Sequence, residues 1–296
     1  MSAKAQLEYE SRVRFRQSAI AAVAGMMLVA AAIIQLGGVH TKVEELTLDL
    51  ITEHKRFPVD LIGACVNSIG LVAVAITLNF VYTISKARNP EIKTFIRWLA
   101  VVGGGLSAIT AIVYAVVIAS KANDFVGHGA ETYQQANALT SSGLVVALPL
   151  IAQFASLLLT GGFVWIALNA MRVGLLTRFM GYLGIFAGVL VLFPIGSPVP
   201  VVQGFWLLAL SYLFTGRWPS GMPRAWATGQ LERWPTNAEM RERRDAARGG
   251  GGREKVQRPV KPARTAVAVA DDDSSAAGTP SRTRSDTPKR KRKRRR

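Results

Sequence analysis

The chain has 296 residues, of which half are hydrophobic, and a formal net charge of +17. The charge is uneven, because positions 217–296 hold 22 Lys and Arg residues against nine acids, a net +13, whereas positions 1–216 carry a net +4. This division excludes one uniform soluble domain and predicts an apolar, membrane-embedded body followed by a basic tail. The one cysteine, Cys65, excludes an intramolecular disulfide and a CxxC metal or redox motif.

Four stretches are apolar enough to cross a bilayer. A hydrocarbon core of about 30 Å needs about 20 apolar residues as a helix, at about 1.5 Å per residue. Positions 18–36, 59–84, 98–120 and 143–170 have this length, and their one charged residue is Asp60, at the start of the second stretch. We therefore predict four spanning helices and expect Asp60 to stabilise a helix N-terminus.

Two shorter apolar segments follow, at positions 180–195 and 200–215. They are two thin or tilted spans, or a re-entrant hairpin protected by the other helices. In both cases the chain returns to the side that it left. The sequence thus predicts an all-α, polytopic bundle of about six segments at positions 18–216.

Lys and Arg are concentrated on one predicted side of the bilayer. The cationic connections are 1–17, 85–97 and 171–179, whereas the longer loops 37–58 and 121–142 are richer in acids. By the positive-inside rule, both termini should be cytoplasmic. A cleaved signal peptide is the alternative for the first 38 residues, but the apolar run is long and no clear cleavage site ends it, which favours an uncleaved span.

The span interiors contain neutral polar residues and no ionisable ones, which argues against an ion-coupled transporter. Such side chains usually join helices by hydrogen bonds. In the alternative, a small transporter or channel for a neutral solute, Asn67, Asn79, Gln153 and Thr160 would line the path. No GxSxG, P-loop or other catalytic motif occurs, so we expect no enzymatic activity and no cofactor.

Small residues suggest close helix packing. Gly184 and Gly188 form a GxxxG pattern, and Gly103 to Gly105 permit either close packing or a kink.

The predicted outer loops contain all the histidines: His40, His54 and His128. Carboxylates lie near them, but the spacing matches no metal signature, so we expect no metal site there. Positions 43–53 have the pattern of an amphipathic helix on the outer surface.

After the last segment, the tripeptide Arg-Trp-Pro occurs at 217–219 and again at 233–235. Tryptophan favours the headgroup zone and arginine favours lipid phosphate. We predict an interfacial segment at 217–236, anchored by Trp218, Trp226 and Trp234.

Positions 169–181, 194–200, 205–206 and 216–219 together resemble the C-terminal half of uncharacterised bacterial multi-pass membrane proteins, which are grouped as a domain of unknown function. The resemblance extends over about residues 169–235. It implies a bacterial cytoplasmic-membrane protein and carries no reaction or catalytic residue.

From position 237 onwards the chain is too polar to bury a core, which predicts a disordered tail at 237–296. Three interpretations compete: contact with anionic lipid, contact with nucleic acid, and a merely solvated tail. Lipid is favoured because the tail is tethered beside the membrane and its last 40 residues contain no aromatic that could stack on bases. We therefore predict a non-enzymatic, structural or regulatory membrane protein. The tail ends in eight consecutive cations: Lys289, Arg290, Lys291, Arg292, Lys293, Arg294, Arg295 and Arg296.

Overall fold

A computed structural model describes residues 3–36, 46–128, 131–141, 143–193, 200–219, 221–232, 234 and 237–249. Within these ranges, all regular secondary structure is α-helical, which confirms the predicted all-α class. The chain divides after Met240 into two units. The basic tail beyond residue 249, including Lys289 to Arg296, lies outside the described residues.

The helices are α1 (Ala3–Leu36), α2 (Leu46–Arg56), α3 (Val59–Arg88), α4 (Phe95–His128), α5 (Tyr133–Thr140), α6 (Leu144–Arg172), α7 (Arg178–Leu192), α8 (Val201–Phe214), α9 (Ala225–Thr228) and α10 (Asn237–Gly249). Four of them, α1, α3, α4 and α6, are long and apolar enough to cross a membrane. They lie over the four predicted spans, but α1 begins at Ala3, well before the predicted start at 18, and α4 continues to His128.

The long helices form an antiparallel bundle with two distinct ends. At one end, which we call the Arg88 end, Arg88 of α3 contacts Glu10 of α1 and the carbonyl of Ala225. At the opposite, Arg56 end, Arg56 of α2 donates to the carbonyl of Ile34 at the end of α1. Along the bundle, α1 packs on α3 and α8, α3 on α4, α4 on α6, and α6 on α7.

Glycines allow α4 to lie very close to both of its neighbours. A Cβ atom at Gly103 would collide with the backbone of Leu159 in α6, and one at Gly104 would collide with Ala75 in α3. In return, Gly162 of α6 faces the backbone of Ala100. Because α4 is continuous from Phe95 to His128, these glycines serve close packing and do not interrupt the helix.

Two short helices, α7 and α8, cover only the half of the bundle next to the Arg88 end. They have 15 and 14 residues, or about 22 Å and 21 Å of helix. Gly184 faces Ala167 of α6, and the last residue of α7, Leu192, shares a cavity wall with Leu159, near the middle of α6. Similarly, Ser211 near the end of α8 accepts at its carbonyl from Ser18 of α1.

Gly204, near the start of α8, packs against Gly25 and Val29 of α1. Both short helices therefore end near the mid-plane of the bundle.

The Arg56 end has a small core of its own. Leu50 of α2 is only 2 % exposed and packs with Ala122, Phe125 and Ala136. The predicted amphipathic helix is therefore present from Leu46, but its apolar face covers α4 and α5 rather than a lipid surface. The region expected to be a loop at 121–142 is largely helical, because α4 continues to His128 and α5 follows.

We predict that Gly103→Ala lowers the free energy of unfolding by about 1–3 kcal/mol, because the added methyl group overpacks the contact between α4 and α6. Gly105→Ala is the matched control, since a Cβ at Gly105 meets no atom within 4 Å. It should be neutral or slightly stabilising, as alanine is the better helix former. Reversible unfolding in mild detergent measures both. Equal destabilisation by the two variants would contradict the close-packing role.

Candidate functional site: a neutral polar cavity between three helices

A cavity of about 610 Å³ lies between α3, α4, α6 and the end of α7. Two of the four residues predicted to line a polar path, Asn67 and Gln153, are in its wall. Ser107, Thr110 and Tyr114 face it from α4, where their spacing of three and four residues places them on one side of the helix. The cavity lies in the half of the bundle that α7 and α8 leave uncovered.

The polar groups of this wall have unused hydrogen-bonding capacity. The Ser107 hydroxyl is buried and has no hydrogen-bond partner in the described part of the chain. Thr110 and Ser156 donate to carbonyls of their own helices, at 2.9 Å and 2.8 Å, so their oxygens are free only to accept. The cavity can therefore both donate hydrogen bonds to a bound molecule and accept them from it.

The other two predicted path residues lie outside the cavity. Thr160 is two helical turns from Gln153, about 10 Å, and Asn79 is about 18 Å along α3 from Asn67. Both lie towards the Arg88 end, where Trp206 and Phe163 fill the space between the helices and are almost fully buried. The arrangement is a pocket open to one half of the bundle, not a line of polar residues through it.

Charged residues lie at the Arg56 end and not in the cavity wall. Arg56 pairs with Asp60, which lies in the first turn of α3, at 2.6 Å. Burial raises the pKa of the neighbouring Glu53, and the negative charge of Asp60 raises it further. His54 forms a hydrogen bond with Asn123 at 2.7 Å. Among the described residues, no three His, Cys, Asp or Glu side chains converge as metal ligands.

The Arg88 end contains an ion pair that sequence patterns did not reveal. Both guanidinium Nη atoms of Arg88 donate to the Glu10 carboxylate, at 2.6 Å and 2.8 Å, and the two side chains are 0 % and 3 % exposed. Arg88 also donates to the carbonyls of Ile84 and Ala225. The sequence places both residues in the predicted cytoplasmic connections, 1–17 and 85–97, which does not distinguish them from solvated charges.

The three tryptophans of the interfacial segment make contacts within the protein. Trp226 is 5 % exposed, donates to the carbonyl of Leu175, and has the Arg14 guanidinium over its ring at 4.4 Å. Trp234 donates to the carbonyl of Leu176, and the half-buried Trp218 packs against the hydrophobic core of the helix bundle. This segment thus covers the Arg88 end of the bundle, and its role as a headgroup anchor stays a prediction.

Cys65 is exposed on the surface of the bundle, beside Ile69 and Ile112 in an apolar groove.

Comparison of the chain with protein-family models, with curated protein sequences and with solved structures found no match. The resemblance of residues 169–235 to bacterial membrane proteins therefore stays a prediction.

We predict that Arg88→Gln lowers the free energy of unfolding by about 3–5 kcal/mol, because it leaves the Glu10 carboxylate buried without its partner. The control is Arg12→Gln, an exposed arginine two residues from Glu10 in α1, which should change stability by less than about 0.5 kcal/mol. Unfolding of both variants in the same detergent tests this. Similar losses for the two variants would show that the ion pair does not hold this end together.

Proposed function

We propose that this chain is a non-enzymatic integral protein of a bacterial cytoplasmic membrane, structural or regulatory, whose basic tail contacts anionic lipid headgroups. The observation that carries the proposal is the unequal charge at the two ends of the helix bundle. It supports an orientation in which the Arg88 end, both termini and the tail are cytoplasmic.

Separate parts of the chain meet at the Arg88 end. The contact between Glu10 and Arg88 joins the start of α1 to the end of α3, and Trp226 reaches the connection between α6 and α7. These segments bring many cations to one end: Arg12, Arg14, Arg16, Lys86, Arg88, Arg172, Arg178, Arg217 and Arg224. At the Arg56 end, acids outnumber cations among the described residues: Asp49, Glu53, Asp60, Asp124 and Glu131 against Lys55, Arg56 and Lys121.

The lengths of the helices support four spans and a hairpin that re-enters from the cytoplasmic side. The helices α7 and α8 cover about 22 Å and 21 Å, too little for a core of about 30 Å. Both short helices end near the mid-plane of the bundle, α7 against α6 and α8 against α1, which supports a re-entrant hairpin held against these longer helices. Of the two alternatives that the sequence left open, we propose the re-entrant one.

Cysteine accessibility tests this topology. In a Cys65→Ala background, we expect a membrane-impermeant maleimide to label Tyr133→Cys in intact cells and Glu91→Cys only after permeabilisation. We expect Phe193→Cys and Pro200→Cys, at the two inner ends of the hairpin, to resist labelling from both sides. Labelling of Phe193→Cys in intact cells would show that α7 spans, and labelling of Glu91→Cys there would reverse the orientation.

Attraction of the tail to lipid is the second testable part. Each Lys or Arg near an anionic surface contributes about 1 kcal/mol, so the eight terminal cations contribute at most about 8 kcal/mol before screening and chain entropy. We expect the full chain in neutral-lipid nanodiscs to bind anionic vesicles in 0.1 M salt. Binding should fall sharply in 1 M salt, where the Debye length is about 3 Å, and when residues 289–296 are replaced by glutamine.

Two results would contradict lipid as the partner of the tail. One is equal binding to neutral vesicles, and the other is a clear preference for RNA when RNA and anionic vesicles compete in the same salt series.

A neutral-solute transporter is the second candidate function. It is favoured by the shared cavity of Asn67 and Gln153, which provides uncharged hydrogen-bonding groups at membrane depth. It is disfavoured by the dense packing of Trp206 and Phe163 between that cavity and the Arg88 end. A pocket that is open on one side only is more consistent with binding a ligand than with transporting a solute through the protein.

A further inference from the structure

We propose that the cavity between α3, α4 and α6 binds an uncharged lipid with a free hydroxyl headgroup, of the diacylglycerol class. The inference rests on the proposed membrane placement and deepens it, because it assigns a ligand to a half of the bundle that the short helices leave open. Under the proposed orientation, that half lies in the outer leaflet.

The chemistry of the wall selects an uncharged ligand. Its polar side chains are two carboxamides, three aliphatic hydroxyls and the phenol of Tyr114, and no acidic or basic side chain lines it. A charged headgroup would be transferred from water into an apolar region without a counter-ion, which is strongly unfavourable. The ion pairs at Asp60 and at Glu10 lie at the two ends of the bundle, and their charges are already matched.

The size and the apolar part of the wall select an amphiphile. A volume of about 610 Å³ lies within the range of about 300–1,000 Å³ that is typical of pockets for drug-sized molecules. Leu71, Leu148, Leu159 and Leu192 contribute apolar surface to the same wall. A solute as small as glycerol would leave this surface in contact with water, whereas acyl chains would cover it.

The pattern of donors and acceptors selects a hydroxyl group. Thr110 and Ser156 can only accept, because their protons are donated within their own helices. The buried Ser107 hydroxyl, which has no hydrogen-bond partner within the described ranges, and the amides of Asn67 and Gln153 can donate as well. A headgroup hydroxyl donates and accepts at once, whereas an ester or ketone alone would leave the acceptors unmatched.

Direct binding tests the proposal. Tritiated dioctanoylglycerol would be titrated onto the full chain in nanodiscs, with the signal from empty nanodiscs subtracted. We expect saturable binding to the native chain and affinity about tenfold lower for Asn67→Leu and for Gln153→Leu, since each loses hydrogen bonds to the headgroup. Ala111→Phe should abolish binding by filling the cavity. Each variant would be compared only if its thermal unfolding midpoint matches that of the native chain.

Thr160→Val is the matched control, because Thr160 is a neutral polar residue of the same helix that lies outside the cavity. It should bind dioctanoylglycerol like the native chain. Excess glycerol and excess dioctanoyl phosphatidate should not displace the probe. Displacement by either compound, equal affinity of the cavity variants and the control, or no saturable binding would overturn the proposal.

The topology experiment separates the two proposals. If labelling shows the expected four spans and re-entrant hairpin but dioctanoylglycerol does not bind, the ligand assignment alone is wrong. If the cavity variants lower the affinity for dioctanoylglycerol as expected but Phe193→Cys is labelled in intact cells, the ligand assignment is supported and the proposed topology is wrong.

Discussion

The contact of Arg88 with Glu10 and the Ala225 carbonyl is the constraint on which much of the arrangement depends. A guanidinium with no exposed surface is stable only when its charge is neutralised and its donors are accepted. Here the acceptors come from α3 itself and from two distant parts of the chain, Glu10 in α1 and Ala225 after α8. The start of α1, the end of α3 and the segment after α8 are consequently held at one end. Because these segments meet at one end, their positive charges are concentrated there, which supports the proposed orientation.

The half of the bundle at the Arg56 end is left open because α7 and α8 are too short to reach it. The helices α7 and α8 fill the space beside α6 and α1 near the Arg88 end, and they reach only the mid-plane. Beyond them, Asn67, Ser107 and Gln153 face a cavity instead of another helix. One local property, the length of two helices, therefore produces both the sealed half and the open pocket. The combination supports ligand binding from one side over passage through the protein.

Several features were predictable because they depend on local composition. The positions of the four long helices follow from uninterrupted apolar stretches, since lipid requires every backbone group to be paired within the helix. The glycines in the sequence indicated where helices pack most closely. The positions of Leu159 and Ala75 were needed to decide between close packing and a kink at Gly103 to Gly105. Gln153 and Thr160 look equivalent in the sequence. They differ because only Gln153 lies beyond the tip of α7.

The sequence by itself determined the helical class, the four apolar spans and the concentration of positive charge behind them, because these depend on which residues are adjacent in the chain. The tertiary structure decided which charges are paired, how far α7 and α8 extend along their neighbours, and which neutral polar residues share a cavity. Two apolar segments separate Glu10 from Arg88 in the sequence, and one separates the segments that contain Asn67 and Gln153. Their meeting depends on the antiparallel packing of whole helices, which no local pattern encodes.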